Sequence, residues 1–171
     1  KIEGDLIVAI PIGTYGNLSV VTAPPKTKKT FFISLLASCY LSGSNQFGGD
    51  IKGHKGNDGQ LVHIDTEQGL WHCQKVFERV HKMDSNIDSE IYHTFGLRSI
   101  DYKMRIEFID YYLREKIKTP SLVIIDGIAD LCSDANNISE SNQVVQKLME
   151  WSAKYKCHII NVIHQNFGSS K

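Results

Sequence analysis

The sequence predicts an α/β fold, in which a mostly parallel, twisted sheet carries helices on both of its faces. Short apolar runs, such as Leu-Val-Ile-Ile at 122–125, alternate with longer segments whose apolar residues recur at helical spacing. Runs that are apolar at every position are typical of parallel strands buried on both sides. The alternation of such strands with helices is the pattern of α/β proteins, so this class accounts for both observations.

Six apolar runs are predicted to form strands. In chain order they are residues 6–10, 18–22, 61–65, 91–95, 121–126 and 158–163. Pro11 ends the first run and Asp126 closes the fifth, and both residue types favour the end of a strand. These runs are too short for typical buried helices, so their length favours the assignment to strands.

Four segments between these runs are predicted to form helices. They are residues 30–41, 70–83, 101–116 and 139–155. Val76 and Val80 share one face of the second helix, and Met104 and Phe108 recur at the same spacing in the third. Residues 42–60 are rich in glycine, asparagine and lysine, which predicts an exposed, mobile excursion.

Length and composition limit the class of protein. The 171 residues predict one domain over residues 1–171, and the formal net charge of zero gives no argument for a nucleic-acid partner. Four cysteines without C-x-x-C spacing favour free thiols and a cytoplasmic location. No apolar run is long enough to span a membrane and no signal peptide is visible, so we expect no membrane partner. The chain begins without methionine, and we expect it to be a fragment of a longer protein.

A phosphate-binding loop is indicated between the second predicted strand and the first predicted helix. Residues 23–30 read Ala-Pro-Pro-Lys-Thr-Lys-Lys-Thr, whereas the intact pattern is G-x-x-x-x-G-K-[ST]. The lysine and the threonine are present as Lys29 and Thr30, but Ala23 and Lys28 stand where glycines are expected. Such a loop binds phosphate through backbone N–H groups and the N-terminus of the following helix. A basic turn in front of a core helix is the alternative.

The two replaced glycines are not equivalent. Ala23 costs little unless its backbone requires a positive φ angle, for which glycine is the usual residue. Lys28 places a side chain where the backbone approaches the phosphate, although it also adds positive charge. Because proline donates no N–H, the donors must come from residues 26–30. The loop as a whole gives the predicted nucleotide-binding residues Pro25, Lys26, Thr27, Lys28, Lys29, Thr30 and Phe31.

Polar side chains also follow three other predicted strands, at the edge of the sheet where α/β proteins bind ligands. Asp126 and Thr30 are suited to holding Mg²⁺, and Glu67 is suited to orienting or deprotonating a water molecule. Gln165 or His164 could sense a γ-phosphate. Taken singly, the same residues are equally well explained as turn formers, a surface carboxylate and a polar loop.

These motifs together resemble the RecA-like ATPase core of P-loop NTPases. Within that core, the chain is similar to the hexameric replicative helicases of the DnaB and plasmid RepA types. It looks closest to ATPases of bacterial mobile elements and phages, especially Bacteroides-type ones. The resemblance rests on four segments, which are residues 20–30, 65–68, 122–127 and 163–166.

The resemblance implies an ATPase that uses ATP and Mg²⁺, in which Lys29 and Thr30 bind the nucleotide and its metal ion. Glu67 would be the catalytic carboxylate and Asp126 the Walker B aspartate. Gln165, with His164, would be the sensor at the start of a DNA-contacting loop. The implied partners are single-stranded DNA and further copies of the chain in a homo-oligomer, with a hexamer as the form typical of this branch. The resemblance assigns no arginine finger.

Two other functions remain open from the sequence. A degenerate nucleotide-sensing module, which regulates or assembles with a partner without turnover, is favoured by the loss of both loop glycines. The retention of Glu67, Asp126 and Gln165 speaks against it. A phosphate-loop kinase for a small substrate fits less well, because its lid would be rich in arginine and residues 42–60 contain none.

Overall fold

The computed structural model describes residues 10–24, 26–43, 45–46, 51–55 and 58–164. Strands and α-helices alternate through most of this part of the chain. In chain order they are β1 (Leu18–Ala23), α1 (Lys29–Ser42), β2 (Asn45–Gln46), β3 (Ile51–Lys52), β4 (Gln60–Asp65), α2 (Leu70–Met83), β5 (Tyr92–Gly96), α3 (Tyr102–Glu115), β6 (Pro120–Asp126), α4 (Ile138–Tyr155) and β7 (His158–His164).

Five of these strands form one sheet in the order β1-β7-β6-β4-β5, and every neighbouring pair is parallel. The carboxyl ends of all five strands therefore meet at the same edge. In the register of the sheet, Asp65 at the end of β4 is opposite Asp126 at the end of β6. The last strand, β7, lies between β1 and β6, and its His164 is opposite Ala23. The loops after β1, β4 and β6 are thus collected at one edge.

Helices cover both faces of the sheet, which confirms the predicted layers. Alternate residues of the central strands point to opposite faces, because the side chains of a strand have a period of two. On one face the strands pack against buried residues of α3 and α4, namely Ile109, Leu113, Val144, Leu148 and Trp151. On the other face they pack against residues of α1 and α2, namely Ile33, Ala37, Leu41 and Val80. The apolar runs seen in the sequence supply both cores.

The strands of the five-stranded sheet and the four α-helices begin and end within one residue of the predicted bounds. The strand predicted to start at residue 91 starts at Tyr92, because a 3₁₀ turn at Ser89–Ile91 precedes it and is capped by the Asp88 side chain. Within residues 42–60, where the sequence predicts only an excursion, β2 and β3 pair as a short antiparallel ribbon. The strand predicted at 6–10 lies almost wholly outside the described residues. None of the helices in the described ranges has the length and apolarity needed to cross a membrane.

Candidate nucleotide-binding site

The loop between β1 and α1 has a backbone conformation that explains one missing glycine and not the other. Lys28 has φ 65° and ψ 31°, and Lys26 has φ 64°, so both lie in the left-handed region. This conformation costs an L-residue about 1–2 kcal/mol, which a glycine would avoid. Ala23, in contrast, is the last residue of β1 and requires no positive φ. The conformational cost of the altered motif therefore falls on Lys28, for which the sequence suggested only a side chain close to the phosphate.

The side chain of Lys29 folds back over this loop. Its ammonium group donates hydrogen bonds to the carbonyl oxygens of Ala23, at 2.6 Å, and of Pro24, at 3.1 Å. The Thr27 hydroxyl donates to the same Pro24 carbonyl at 2.7 Å. The side chain of Lys28 makes no capping bond to α1, and the first turn of α1 contains no acidic residue. No acidic side chain of the described residues therefore occupies this end of the helix, and the helix dipole attracts an anion to it.

Asp126 is a buried carboxylate without a hydrogen-bond partner. Its residue is 1% exposed, and neither carboxyl oxygen accepts a hydrogen bond of normal geometry in the described structure. Burial raises the pKa of Asp126 to about 7, and the negative charges of Asp65 and Glu67 add to the shift. The Thr30 hydroxyl and the Lys29 ammonium lower the same pKa, so both groups lie near this carboxyl.

These oxygen atoms fit a magnesium ion. Mg²⁺ is a hard cation that binds one or two protein oxygens and keeps several water molecules. The carboxyl group of Asp126 and the hydroxyl group of Thr30 are such ligands, and a cation would offset the cost of the buried, unpaired carboxylate. The chemistry of the donor set therefore agrees with the metal ligands predicted from the sequence.

Asp65 organises the turn that carries Glu67. Its carboxylate accepts hydrogen bonds from the backbone N–H of Glu67 at 3.0 Å and of Gln68 at 2.8 Å. The Gln68 side chain donates a third, at 2.8 Å. This is an Asx turn, in which an aspartate bonds the backbone two residues later. Sequence reasoning singled out Glu67 and gave Asp65 no role, although an Asp at a strand end is the usual signal for such a turn.

Thr66 joins the ends of β4 and β6. Its backbone N–H donates to the carbonyl of Asp126 at 3.0 Å, and its hydroxyl lies 2.8 Å from the carbonyl oxygen of Gly127. The same hydroxyl is 3.1 Å from a carboxyl oxygen of Asp130. Gly127 has φ +100°, and a Cβ atom there would lie 2.4 Å from the Thr66 hydroxyl oxygen. A glycine is therefore required where the two strand ends meet.

The predicted site residues are brought together to different degrees. Lys29, Thr30 and Glu67 all lie close enough to Asp126 to influence its pKa. Lys26, Thr27 and Lys28 form the loop in front of them. Phe31 is partly exposed, and the Arg79 guanidinium lies 5.5 Å from the centre of its ring.

The remaining predicted residues are only partly described. Pro25 and Gln165 lie outside the described residues, as does the predicted DNA-contacting loop at 166–171. His164 ends β7 beside the end of β1, so the chain leaves the sheet next to the phosphate-binding loop. Trp71, at the start of α2, is 64% exposed, with the Lys75 ammonium 5.8 Å from its ring centre. It therefore lies on the helix surface and outside the core.

Comparisons with known proteins identify the family and the fold of the chain. The family model described as an AAA domain, AAA_25, matches residues 12–169. The crystal structure of the RadB recombinase matches with a TM-score of 0.58 at 17% sequence identity, which confirms the RecA-like α/β P-loop fold. The match covers 93% of this chain and 66% of the recombinase, so the chain spans about two thirds of the length of that protein. No curated protein matches the sequence.

Proposed function

The chain belongs to the AAA domain family, and we propose that this nucleotide-binding ATPase domain hydrolyses ATP with Mg²⁺ to drive DNA replication or mobilisation of a mobile element. The observation that carries the proposal is the buried Asp126 carboxylate. Among the described residues its oxygen atoms accept no hydrogen bond of normal geometry, and it lies near both Thr30 and Lys29. A structural carboxylate at this depth would be paired, whereas a metal ligand has a reason to be left unpaired by protein.

Each residue has a defined part in the proposed reaction. Lys29 exchanges its bonds to the Ala23 and Pro24 carbonyls for bonds to phosphate oxygens, and the first N–H groups of α1 hold the same phosphates. When bound, Mg²⁺ neutralises charge that develops on the phosphate oxygens. Glu67 orients the attacking water molecule and accepts its proton. The Asx turn made by Asp65 fixes the backbone that carries Glu67.

The response to DNA is assigned to the segment that follows β7. Because β7 lies between β1 and β6, its last residue, His164, lies between the ends of the strands that precede the phosphate-binding loop and carry Asp126. From the sequence resemblance, we assign to Gln165, with His164, the role of sensing the γ-phosphate. We assign residues 166–171 and beyond to contact with single-stranded DNA. The likeness of the fold to a recombinase supports a protein that acts on DNA.

We further propose that the active protein is a homo-oligomer, namely a hexamer like those of the DnaB and RepA types. The neighbouring copy would supply the arginine finger. An ATPase that moves along DNA as such a ring would act as a helicase. This part of the proposal rests on the sequence resemblance.

A nucleotide-sensing module without turnover is the second candidate function. It is favoured by one specific observation, which is the left-handed conformation of Lys28 at the position of a loop glycine. A loop held in this conformation would bind nucleotide without aligning its γ-phosphate with the water molecule at Glu67. Nucleotide would then bind and would not be hydrolysed.

Hydrolysis measurements distinguish the two functions. The rate of phosphate release is measured with Mg²⁺, with and without single-stranded DNA, for the wild type and for Glu67→Gln. Glu78→Gln, which removes an exposed carboxylate from α2 that pairs with Lys75, is the matched control. If the protein is an ATPase, DNA should stimulate turnover in the wild type. Glu67→Gln should reduce the rate at least about 100-fold, and Glu78→Gln should retain it. Nucleotide binding without turnover, in the presence of DNA, would favour the sensing module instead.

A further inference from the structure

Arg105, near the start of α3, binds three backbone carbonyl groups at once. Its Nε donates to the carbonyl oxygen of Leu97 at 3.0 Å, and its two terminal nitrogens donate to Arg98 at 2.9 Å and to Asp130 at 2.6 Å. Leu97 and Arg98 belong to the turn after β5, whereas Asp130 belongs to the turn after β6. One guanidinium group therefore joins two of the loops at the carboxyl edge of the sheet.

Both of these loops in turn hold the segment that carries Glu67. The backbone N–H of Leu97 donates to the carbonyl of Asp65 at 2.8 Å. The carboxyl group of Asp130 lies 3.1 Å from the Thr66 hydroxyl. Two short paths thus run from Arg105 to the residues directly before Glu67. One path passes through the turn after β5, and the other passes through the turn after β6.

The chemistry of this contact is specific to arginine. Three carbonyl oxygens in different directions are matched by the planar fork of a guanidinium, whereas a lysine ammonium is a compact point charge on a flexible stem. Among the described residues Arg105 forms no ion pair with a carboxylate, so its partners are backbone groups. Arg114 on the same helix differs, because it lies at the surface and pairs with Asp110 and Glu115.

We propose that Arg105 is a positioning residue for Glu67. It fixes the turns after β5 and β6, and these hold the Asp65–Glu67 segment in the geometry that water activation requires. The inference rests on the proposed ATPase function, in which Glu67 acts on the attacking water molecule. The hydrogen bonds that Arg105 forms with described residues include none to the phosphate-binding loop or to Asp126. Its loss should therefore affect the chemical step and leave nucleotide binding intact.

The first test separates the chemical step from binding. We compare Arg105→Lys with the wild type, and Arg114→Lys serves as the matched control on the same helix. Arg105→Lys should lower kcat at least about tenfold while the Kd for Mg·ATP changes less than about twofold. Arg114→Lys should leave both values unchanged. If Arg105→Lys keeps its turnover, or loses binding and turnover in parallel, the assignment is wrong.

A second test does not require hydrolysis. Amide hydrogen exchange in the free protein should become about tenfold faster at Glu67 and Gln68 in Arg105→Lys, because their N–H groups depend on the held turn. Phe31 and Phe32 lie in the first turn of α1, and their N–H groups donate to the carbonyl of Lys28. Exchange at these two residues should not change. Unchanged exchange at Glu67 and Gln68 would overturn the positioning role whether or not the wild type hydrolyses ATP. If exchange is faster in Arg105→Lys but the wild type does not hydrolyse ATP, only the proposed ATPase function is refuted.

Discussion

The ammonium group of Lys29 lies 2.6 Å from the carbonyl oxygen of Ala23, so the phosphate-binding loop is closed by its own lysine. This contact spans the whole loop and joins the end of β1 to the start of α1. Lys29 is only 6% exposed, and a second carbonyl, that of Pro24, shares its charge. Nucleotide binding has to replace these bonds with stronger, charge-assisted bonds to phosphate.

Lys28→Gly should stabilise the protein. The left-handed conformation of Lys28 costs about 1–2 kcal/mol, whereas the extra freedom of glycine in the unfolded chain offsets about 0.4–1 kcal/mol of the gain. We expect a rise in Tm of about 2–4 °C. Lys156→Gly is the matched control, since Lys156 has the same kind of conformation, with φ 52°, at the end of α4 and outside the site. A lower Tm for Lys28→Gly, measured by calorimetry, would show that the lysine side chain stabilises the loop.

Asp126→Asn should raise the stability of the nucleotide-free protein above pH 7. The pKa of Asp126 is raised from 3.8 to about 7, so its folded form resists ionisation. Stability from this group is complete below pH 4 and is lost as the pH rises through 7, by up to about 4 kcal/mol. The variant should remove that loss, and the gain in Tm should shrink as the pH falls to 4.

Asp110→Asn should change the Tm in the opposite direction, so it serves as the control for this measurement. Hydrogen bonding from Trp151 and the charges of Lys147 and Arg114 lower the pKa of Asp110. This variant should therefore lower the Tm at neutral pH. If Asp126→Asn also lowers the Tm at pH 8, Asp126 serves the fold and the inference from its unpaired carboxyl group is contradicted.

The buried His63 should lower the free energy of unfolding as the pH falls below 6.5. Burial lowers the pKa of His63 to about 3, and its Nδ1 shares a 2.8 Å hydrogen bond with the Tyr92 hydroxyl. Because the unfolded chain takes up a proton near pH 6.5, stability is lost from this pH down to about 3, by roughly 5 kcal/mol. In the wild type this loss opposes the gain from Asp126 over the same range.

Replacing both polar partners isolates the histidine. In His63→Phe with Tyr92→Phe, no buried polar group is left without its partner, so the loss of hydrogen bonding costs little. The free energy of unfolding in urea should rise more steeply from pH 6.5 to pH 4 in this double variant than in the wild type, because the gain from Asp126 is no longer opposed. The exposed His72→Gln should follow the wild-type curve. An unchanged pH dependence in the double variant would show that His63 is protonated in the folded state.

Gly127→Ala should destabilise the protein by about 3 kcal/mol, because the new Cβ meets the Thr66 hydroxyl oxygen at 2.4 Å and the backbone has φ +100°. Gly16→Ala is the control for backbone strain alone. Gly16 has φ +76° and no atom within 4 Å of the added Cβ, so its cost should be about 1 kcal/mol. Urea unfolding measures both values. Equal losses in the two variants would show that the contact between Thr66 and Gly127 is adaptable.

The sequence predicts the strands of the sheet and suggests the candidate site residues, because both depend on local patterns. Apolar runs identify β4 and β6, and a parallel sheet necessarily brings their carboxyl ends to one edge. Lys29 and Thr30 follow from a motif of consecutive residues, and Glu67 and Asp126 follow from their positions after strands. The replacement of a loop glycine by Lys28 is also visible, whereas the left-handed conformation of Lys28 is not.

The support behind the site cannot be predicted in the same way. Thr66 and Asp130 are 64 residues apart, and Asp130 and Arg105 are 25 apart, so no local pattern links them. The partners of Arg105 are backbone carbonyl groups, which every residue has, so its role leaves no signature in the sequence. Asp65 is an intermediate case, because its position suggests a turn but does not show which N–H groups it holds.

Calorimetric titration with Mg·ATP tests the central claim most directly, which is that this loop binds nucleotide although both glycines are replaced. Wild type and Lys29→Ala are titrated side by side, and the Tm of each is measured without ligand. We predict a Kd in the micromolar range for the wild type and a loss of at least about 100-fold for Lys29→Ala, because its charge-assisted bonds to phosphate are removed. A folded wild type that takes up no Mg·ATP, or a Lys29→Ala variant that binds equally well, would contradict the account.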